Sequence, residues 1–223
     1  PALRGTPADR EHSMKMGESL TTSSPQGPRT DDLVARRYRQ VRDLSLELTR
    51  GLSAEDQTIQ SMPDASPTKW HLAHTTWFFE TFILTPHAPE YRVFDRRYTY
   101  LFNSYYDSVG DRHPRAERGL LTRPGLEDIL AYRAHADAAM QALLARNALP
   151  PPVLDLLELG LNHEQQHQEL ILMDIKHALS RNPLRPAFDT PRPVARGPQV
   201  AETWTPFAGG LVEIGHKGEA FAF

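Results

Sequence analysis

The 223-residue chain has no cysteine. Disulfide frameworks, thiolate metal sites and cysteine nucleophiles are all excluded by that one absence, and a reducing cytoplasm is the expected location. An apolar run near the roughly 18–20 residues that cross a bilayer is also lacking, so no membrane partner is expected. Neither sign of charge dominates: 25 Lys and Arg face 28 Asp and Glu, a net charge of −3. No basic field therefore points to nucleic acid or to an anionic surface. Any bound metal must be held by His, Asp or Glu, and the ten histidines make that the first question.

Residues 1–30 hold few large aliphatics and many Pro, Gly, Ser and Thr. They bury too little apolar surface to offset chain ordering and are read as a disordered arm. From Asp31 the texture is helical. Thr30 and Asp31 can cap a run in which Val34, Tyr38, Val41, Leu44 and Leu48 recur every three or four residues up to Gly51. A second helix is expected from Ser66 as N-cap and Pro67 at the first position, stopping before Pro86. Residues 86–123 read as irregular, with an aromatic stretch, YTYLFNSYY. A third helix follows Pro124, with Leu126, Ile129, Leu130, Ala134 and Met140 as its apolar face, and a fourth runs from the prolines at 150–152 to about Ser180. Four long helices without a comparable strand predict an all-α fold, a four-helix bundle over residues 31–182. The long 86–123 connection suggests crossover links. A Pro/Arg-rich linker is expected over 183–203, and 204–223 reads as the β-rich start of a further domain.

The fourth helix carries LGLNHEQQHQELILMDIKH. At 100° per residue, Leu156, Gly160, His163, His167, Leu170 and Asp174 share one stripe. His163 and His167 are one turn apart, about 6 Å along the axis, and two imidazoles so placed can share a metal ion. A buried imidazole must be hydrogen-bonded or ligated, which favours ligation for a pair on the apolar stripe. Catalytic metals usually take three protein ligands. On the second helix His74 shares the inward face with Trp70, Trp77, Thr81 and Leu84, so it is the third candidate, with His71 as the fallback. His177 sits about 15 Å beyond His167 along the helix, too far to join. Three imidazoles suit Fe(II), Zn, Ni or Cu alike.

HEQQH also fits the zinc-protease pattern H-E-x-x-H, in which Glu164 would be the general base. The metzincin extension, however, requires a glycine and a histidine where this chain has Leu170 and Met173. No suitable downstream carboxylate ligand or preceding strand is evident either.

The segments SPTKWHLAHTTWFFE, YLFNSYYDSVGDRHPRAERGLL and LNHEQQHQELILMDIKH resemble the N-terminal half of the sulfoxide synthases of ergothioneine biosynthesis, the hercynine oxygenases. The closing GGLVEIG resembles the start of that family's second domain, which is related to formylglycine-generating enzymes. The resemblance covers about residues 31–180 and the tail. It implies a DinB-like bundle whose three-histidine centre holds Fe(II), with ligands at His74, His163 and His167. It implies a reaction in which O2 joins the thiol of cysteine or γ-glutamylcysteine to the imidazole C2 of hercynine as a sulfoxide. Arg115 and Arg118 match an arginine pair that holds the thiol substrate's carboxylates in part of the family, as guanidinium forks do well, and Gln166 matches a position beside the hercynine imidazole. The family's catalytic tyrosine belongs to the second domain, so none of the tyrosines here takes that role. This chain is then expected to be a fragment, or to meet a C-terminal half in trans. The alternatives are a DinB-like metal-dependent thiol transferase and a non-catalytic metal-stabilised bundle module.

Overall fold

A computed structural model of the chain describes residues 30–146, 149–190, 197, 200–218 and 221–223. Four long helices form the fold: α1 (Thr30–Thr49), α2 (Thr68–Phe79), then, after a short helix α3 (Tyr98–Phe102), α4 (Leu126–Leu144) and α5 (Pro151–Arg181). The arm read over residues 1–30 lies outside the described residues, apart from Thr30, which opens α1.

All twelve residues of α2 are buried. A helix apolar or paired all round belongs at the centre of a domain, and α2 indeed packs on both α4 and α5, while α1 packs on the same two. The chain thus passes from α1 to α2 without pairing them as a tight hairpin. Contacts set the α2–α5 register as antiparallel: Ser66 meets Asp174, His71 meets His167, His74 meets His163, and Phe78 and Phe79 meet Gly160.

Pro67, not Ser66, occupies the N-cap of α2. The Ser66 N–H donates to the Asp174 carboxylate (2.9 Å) and its hydroxyl accepts from Arg118 (2.9 Å), so tertiary contacts draw the serine away from capping. Nor does the helix stop before Pro86. A π turn over Glu80–Leu84 is followed by helical residues Thr85–His87. The wide turn already breaks the regular ladder, so the N–H that proline lacks costs little there. Glu80 holds the following loop in place. Its carboxylate accepts from the hydroxyls of Tyr91 (2.5 Å) and Tyr132 (2.7 Å) and from the Phe94 N–H (3.2 Å).

The core stripes differ from the periodic reading at several positions. Leu44 and Leu130 are about two-fifths exposed and Ala134 is exposed, whereas Arg42 and Arg133 are buried. Those two guanidiniums flank Glu164: Arg42 Nη1 lies 2.9 Å and Arg133 Nη2 2.5 Å from its oxygens. The Ser45 hydroxyl donates to the same carboxylate at 2.6 Å, and Arg42 Nε also reaches Asp137 at 2.6 Å. One polar cluster thereby joins α1, α4 and α5, with Thr76 of α2 accepting from Arg42 at 3.0 Å.

Among the described residues no strand forms. In the stretch 204–223, read as β-rich, the described residues 204–218 and 221–223 are irregular, and Trp204, Phe207, Leu211 and Ile214 are largely exposed. A strand needs a partner for its backbone groups, and none of the described chain offers one.

Gly160 is where α5 comes closest to α2. A Cβ there would stand 2.7 Å from Phe79 Cε1 and 2.8 Å from Phe78 Cε1. The space above the histidine pair is thus filled by two rings. Alanine normally gains roughly 1 kcal/mol over glycine within a helix. Overpacking against two fully buried rings costs about 1–3 kcal/mol, so Gly160→Ala is expected to lower the denaturation midpoint. A rise in the midpoint would show that the rings yield.

Candidate metal centre

α2 contributes His74 to the centre, and α5 contributes His163 and His167. All three are buried, and their candidate ligand nitrogens lie within 4.8 Å of one another. The ring centroids are 5.0 Å apart for His74–His163, 4.7 Å for His74–His167 and 4.6 Å for His163–His167. Nitrogens bonded to one ion at about 2.0–2.1 Å are at most about 4 Å apart, so the cluster is within about 1 Å of the spread that one ion requires.

The rings are held by aromatic walls. His74 is sandwiched between the indoles of Trp70 (4.7 Å, 14° interplanar) and Trp77 (5.6 Å, 15°). Its Nδ1–H donates to the Phe102 carbonyl at 2.6 Å, at the end of α3. That bond leaves the Nε2 lone pair free, and it points at His163 Nε2 3.2 Å away. Phe78 packs on His163 with centroids 5.1 Å apart, and His163 Nδ1 is buried without a partner among the described residues.

Burial keeps these imidazoles neutral. The His163 pKa is lowered to about 4, chiefly by loss of solvent. Those of His74 and His167 fall well below the ordinary value because of burial and then neighbouring imidazoles. Neutral imidazoles offer the lone pairs a cation requires. The donor set therefore fits a divalent metal ion.

A cavity of about 420 Å³ opens on this cluster and is also lined by Arg115, Arg118 and Gln166. Arg118 stands over the Trp70 ring, its Cζ 3.4 Å from the centroid. It donates to Ser66 Oγ (2.9 Å) and Ser104 Oγ (3.2 Å), while its Nε has no partner. Burial, and next the Arg115 charge, lower its pKa to about 9. Arg115 donates to the Tyr105 hydroxyl (2.8 Å) and the Asp64 carbonyl, and its Nε is likewise unpartnered. Among the described residues neither arginine has a carboxylate partner. The two therefore bring positive charge to the cavity lining. Gln166 is exposed at its rim. In the YTYLFNSYY stretch Tyr98 and Phe102 pack in the core, and Tyr105 and Tyr106 line the cavity.

His71, the fallback ligand, stands one layer behind the trio. It is buried, 2.8 Å from His167 and 3.1 Å from Asp174. Asp174 was visible only as a member of the α5 stripe. His177 is elsewhere, bonded to Ser61 at 2.7 Å. Glu164 faces away from the cavity into the Arg42–Arg133 cluster. Burial alone would raise its pKa, but Arg133 and Arg42 outweigh that and hold it at about 2. A carboxylate so committed cannot serve as the general base of an H-E-x-x-H hydrolase.

The architecture and the cluster together define a helical bundle with a buried three-histidine site able to hold a metal ion. The sequence model of the DinB superfamily matches residues 37–171, and the chain belongs to that superfamily, whose domains often bind metal. No curated protein matches the chain. No helix among the described residues is long and apolar enough to cross a membrane.

Proposed function

We propose that the chain is the metal-binding half of a non-haem iron(II)- and O2-dependent sulfoxide synthase of ergothioneine biosynthesis, working in the cytoplasm. One observation carries this reading: the three-histidine cluster and two arginines that have no carboxylate partner among the described residues line the same cavity. His74, His163 and His167 would hold Fe(II), which when bound supplies the redox chemistry and a common anchor for the co-substrates.

The overall reaction is a thiol plus the imidazole C2–H plus O2 giving a sulfoxide plus water. One C–S bond and one S–O bond form, the S–H and C–H bonds break, and O2 takes up the four electrons released. Arg115 and Arg118 would grip the carboxylates of cysteine or γ-glutamylcysteine, placing the thiol toward the histidines. Gln166 would orient the imidazole of hercynine from the rim. The indole walls and Phe78 keep bulk water from the inner side. Residues 204–223, with their exposed apolar side chains, fit the start of a second domain that would cover the cavity and bring the family's catalytic tyrosine.

Replacing iron by Co(II) makes thiol binding visible as a sulfur-to-cobalt charge-transfer band. Cysteine or γ-glutamylcysteine should produce the band, Arg115→Ala and Arg118→Ala should weaken it at a given thiol concentration, and hercynine should then perturb it. Indifference to hercynine, together with oxygen-independent transfer of the thiol to an electrophile, would instead favour a DinB-type thiol transferase.

A further inference from the structure

Behind the trio, two buried groups are left without a part in the chemistry above: His71 and Asp174, 2 % and 5 % exposed. Their hydrogen bonds fix the direction of every proton in the chain that links them to His167. Asp174 Oδ2 accepts the Ser66 N–H at 2.9 Å, and as a carboxylate oxygen, which only accepts, it is the acceptor toward His71 Nε2 at 3.1 Å as well. His71 therefore carries its proton on Nε2, and its Nδ1 is a bare lone pair. That lone pair lies 2.8 Å from His167 Nδ1, which must then be the donor. With Nδ1 protonated, His167 keeps its lone pair on Nε2. His74 reaches the same state through the Phe102 carbonyl. His163, whose Nδ1 has no partner, is the one ring not fixed in this way.

We infer that His71 and Asp174 are positioning residues that hold His167 in its Nδ1–H tautomer and strengthen it as a ligand for a divalent ion. A core histidine with a purely structural part would have its nitrogens satisfied by groups outside the cluster. Here one nitrogen is spent on a candidate ligand, and the other on a carboxylate, the arrangement that fixes orientation and raises basicity in metal-bound imidazoles. The antiparallel α2–α5 register makes this possible, because it sets residue 71 opposite 167 and lets 174 reach back one layer.

This inference rests on the trio holding a divalent ion and not on any particular reaction. The test is Co(II) affinity by competition with a chromophoric chelator, on the wild type, His71→Leu, His71→Asn and Asp174→Asn, with metal-free thermal midpoints recorded alongside. Leucine removes the acceptor, and affinity should fall roughly 10–100-fold. Asparagine places its Oδ1 where Nδ1 was and should recover most of that loss. Asp174→Asn should cost less than His71→Leu, since His71 keeps an acceptor. In nitrogen-15 spectra of the Zn(II)-loaded protein, His167 should show a protonated Nδ1 that exchanges slowly in the wild type and quickly in His71→Leu. Equal Co(II) affinity in wild type and His71→Leu overturns the inference alone. So do equal losses in His71→Leu and His71→Asn, which would mark a packing effect, or a His167 protonated on Nε2. A wild type that binds no Co(II) overturns the metal centre and the inference together.

Discussion

Glu164→Gln should destabilise the protein severely while sparing metal binding in the molecules that remain folded. The carboxylate is 1 % exposed and sits between two guanidiniums that are equally buried. Removing its charge leaves Arg42 with Asp137 as its one carboxylate among the described residues, and Arg133 with no carboxylate among the groups it contacts. The glutamine amide would also have to turn its NH2 toward one of the two cations. Breaking one partner of a buried ion cluster costs about 3–5 kcal/mol. For a chain of this size that corresponds to a fall of roughly 6–20 °C in the thermal midpoint. Co(II) affinity measured well below that midpoint should stay near the wild-type value, since the carboxylate points away from the cavity. An unchanged midpoint with lost activity would instead restore Glu164 as a catalytic base.

The second large effect concerns metal-dependent stability. An ion that binds only the folded state at a thousand times its dissociation constant adds about 4 kcal/mol, so saturating Co(II) should raise the wild-type midpoint clearly. His163→Ala should abolish that rise. This variant is the cleanest of the three because His163 Nδ1 has no hydrogen bond to lose. His74→Ala should abolish it too, but would also lower the metal-free midpoint by removing a ring stacked between two indoles and bonded to the Phe102 carbonyl. His177→Ala should leave the metal-dependent rise intact, because its ring is engaged by Ser61 away from the cluster. Scanning calorimetry with and without Co(II) decides the matter. A metal-dependent rise that survives His163→Ala would remove the trio from consideration.

These two experiments probe opposite faces of one helix turn. His163 and Glu164 are neighbours in sequence, yet successive residues on a helix are 100° apart and face different surroundings. The motif H-E-x-x-H is blind to that difference, since it records spacing and not what stands across from each side chain. Here the two histidines look into an aromatic-walled cavity and the glutamate looks into an ionic cluster.

Periodicity alone identified the four long helices and placed His163, His167 and His74 on inward faces. It could do so because burial on a helix repeats every 3.6 residues, and that repeat is written in one dimension. The same reasoning misplaced Leu44 and Leu130 in the core and passed over Arg42 and Arg133, because a helical wheel tells which stripe is apolar without telling what faces its edges. Only the tertiary structure decided that Arg118 is buried on Trp70, that His71 stands behind His167 with Asp174 as its acceptor, and that Glu164 is neutralised by two arginines. Each of those contacts joins residues from separate segments, dozens of positions apart in most cases. Their existence depends on the rotation and register of one helix against another, which packing sets and local sequence does not encode.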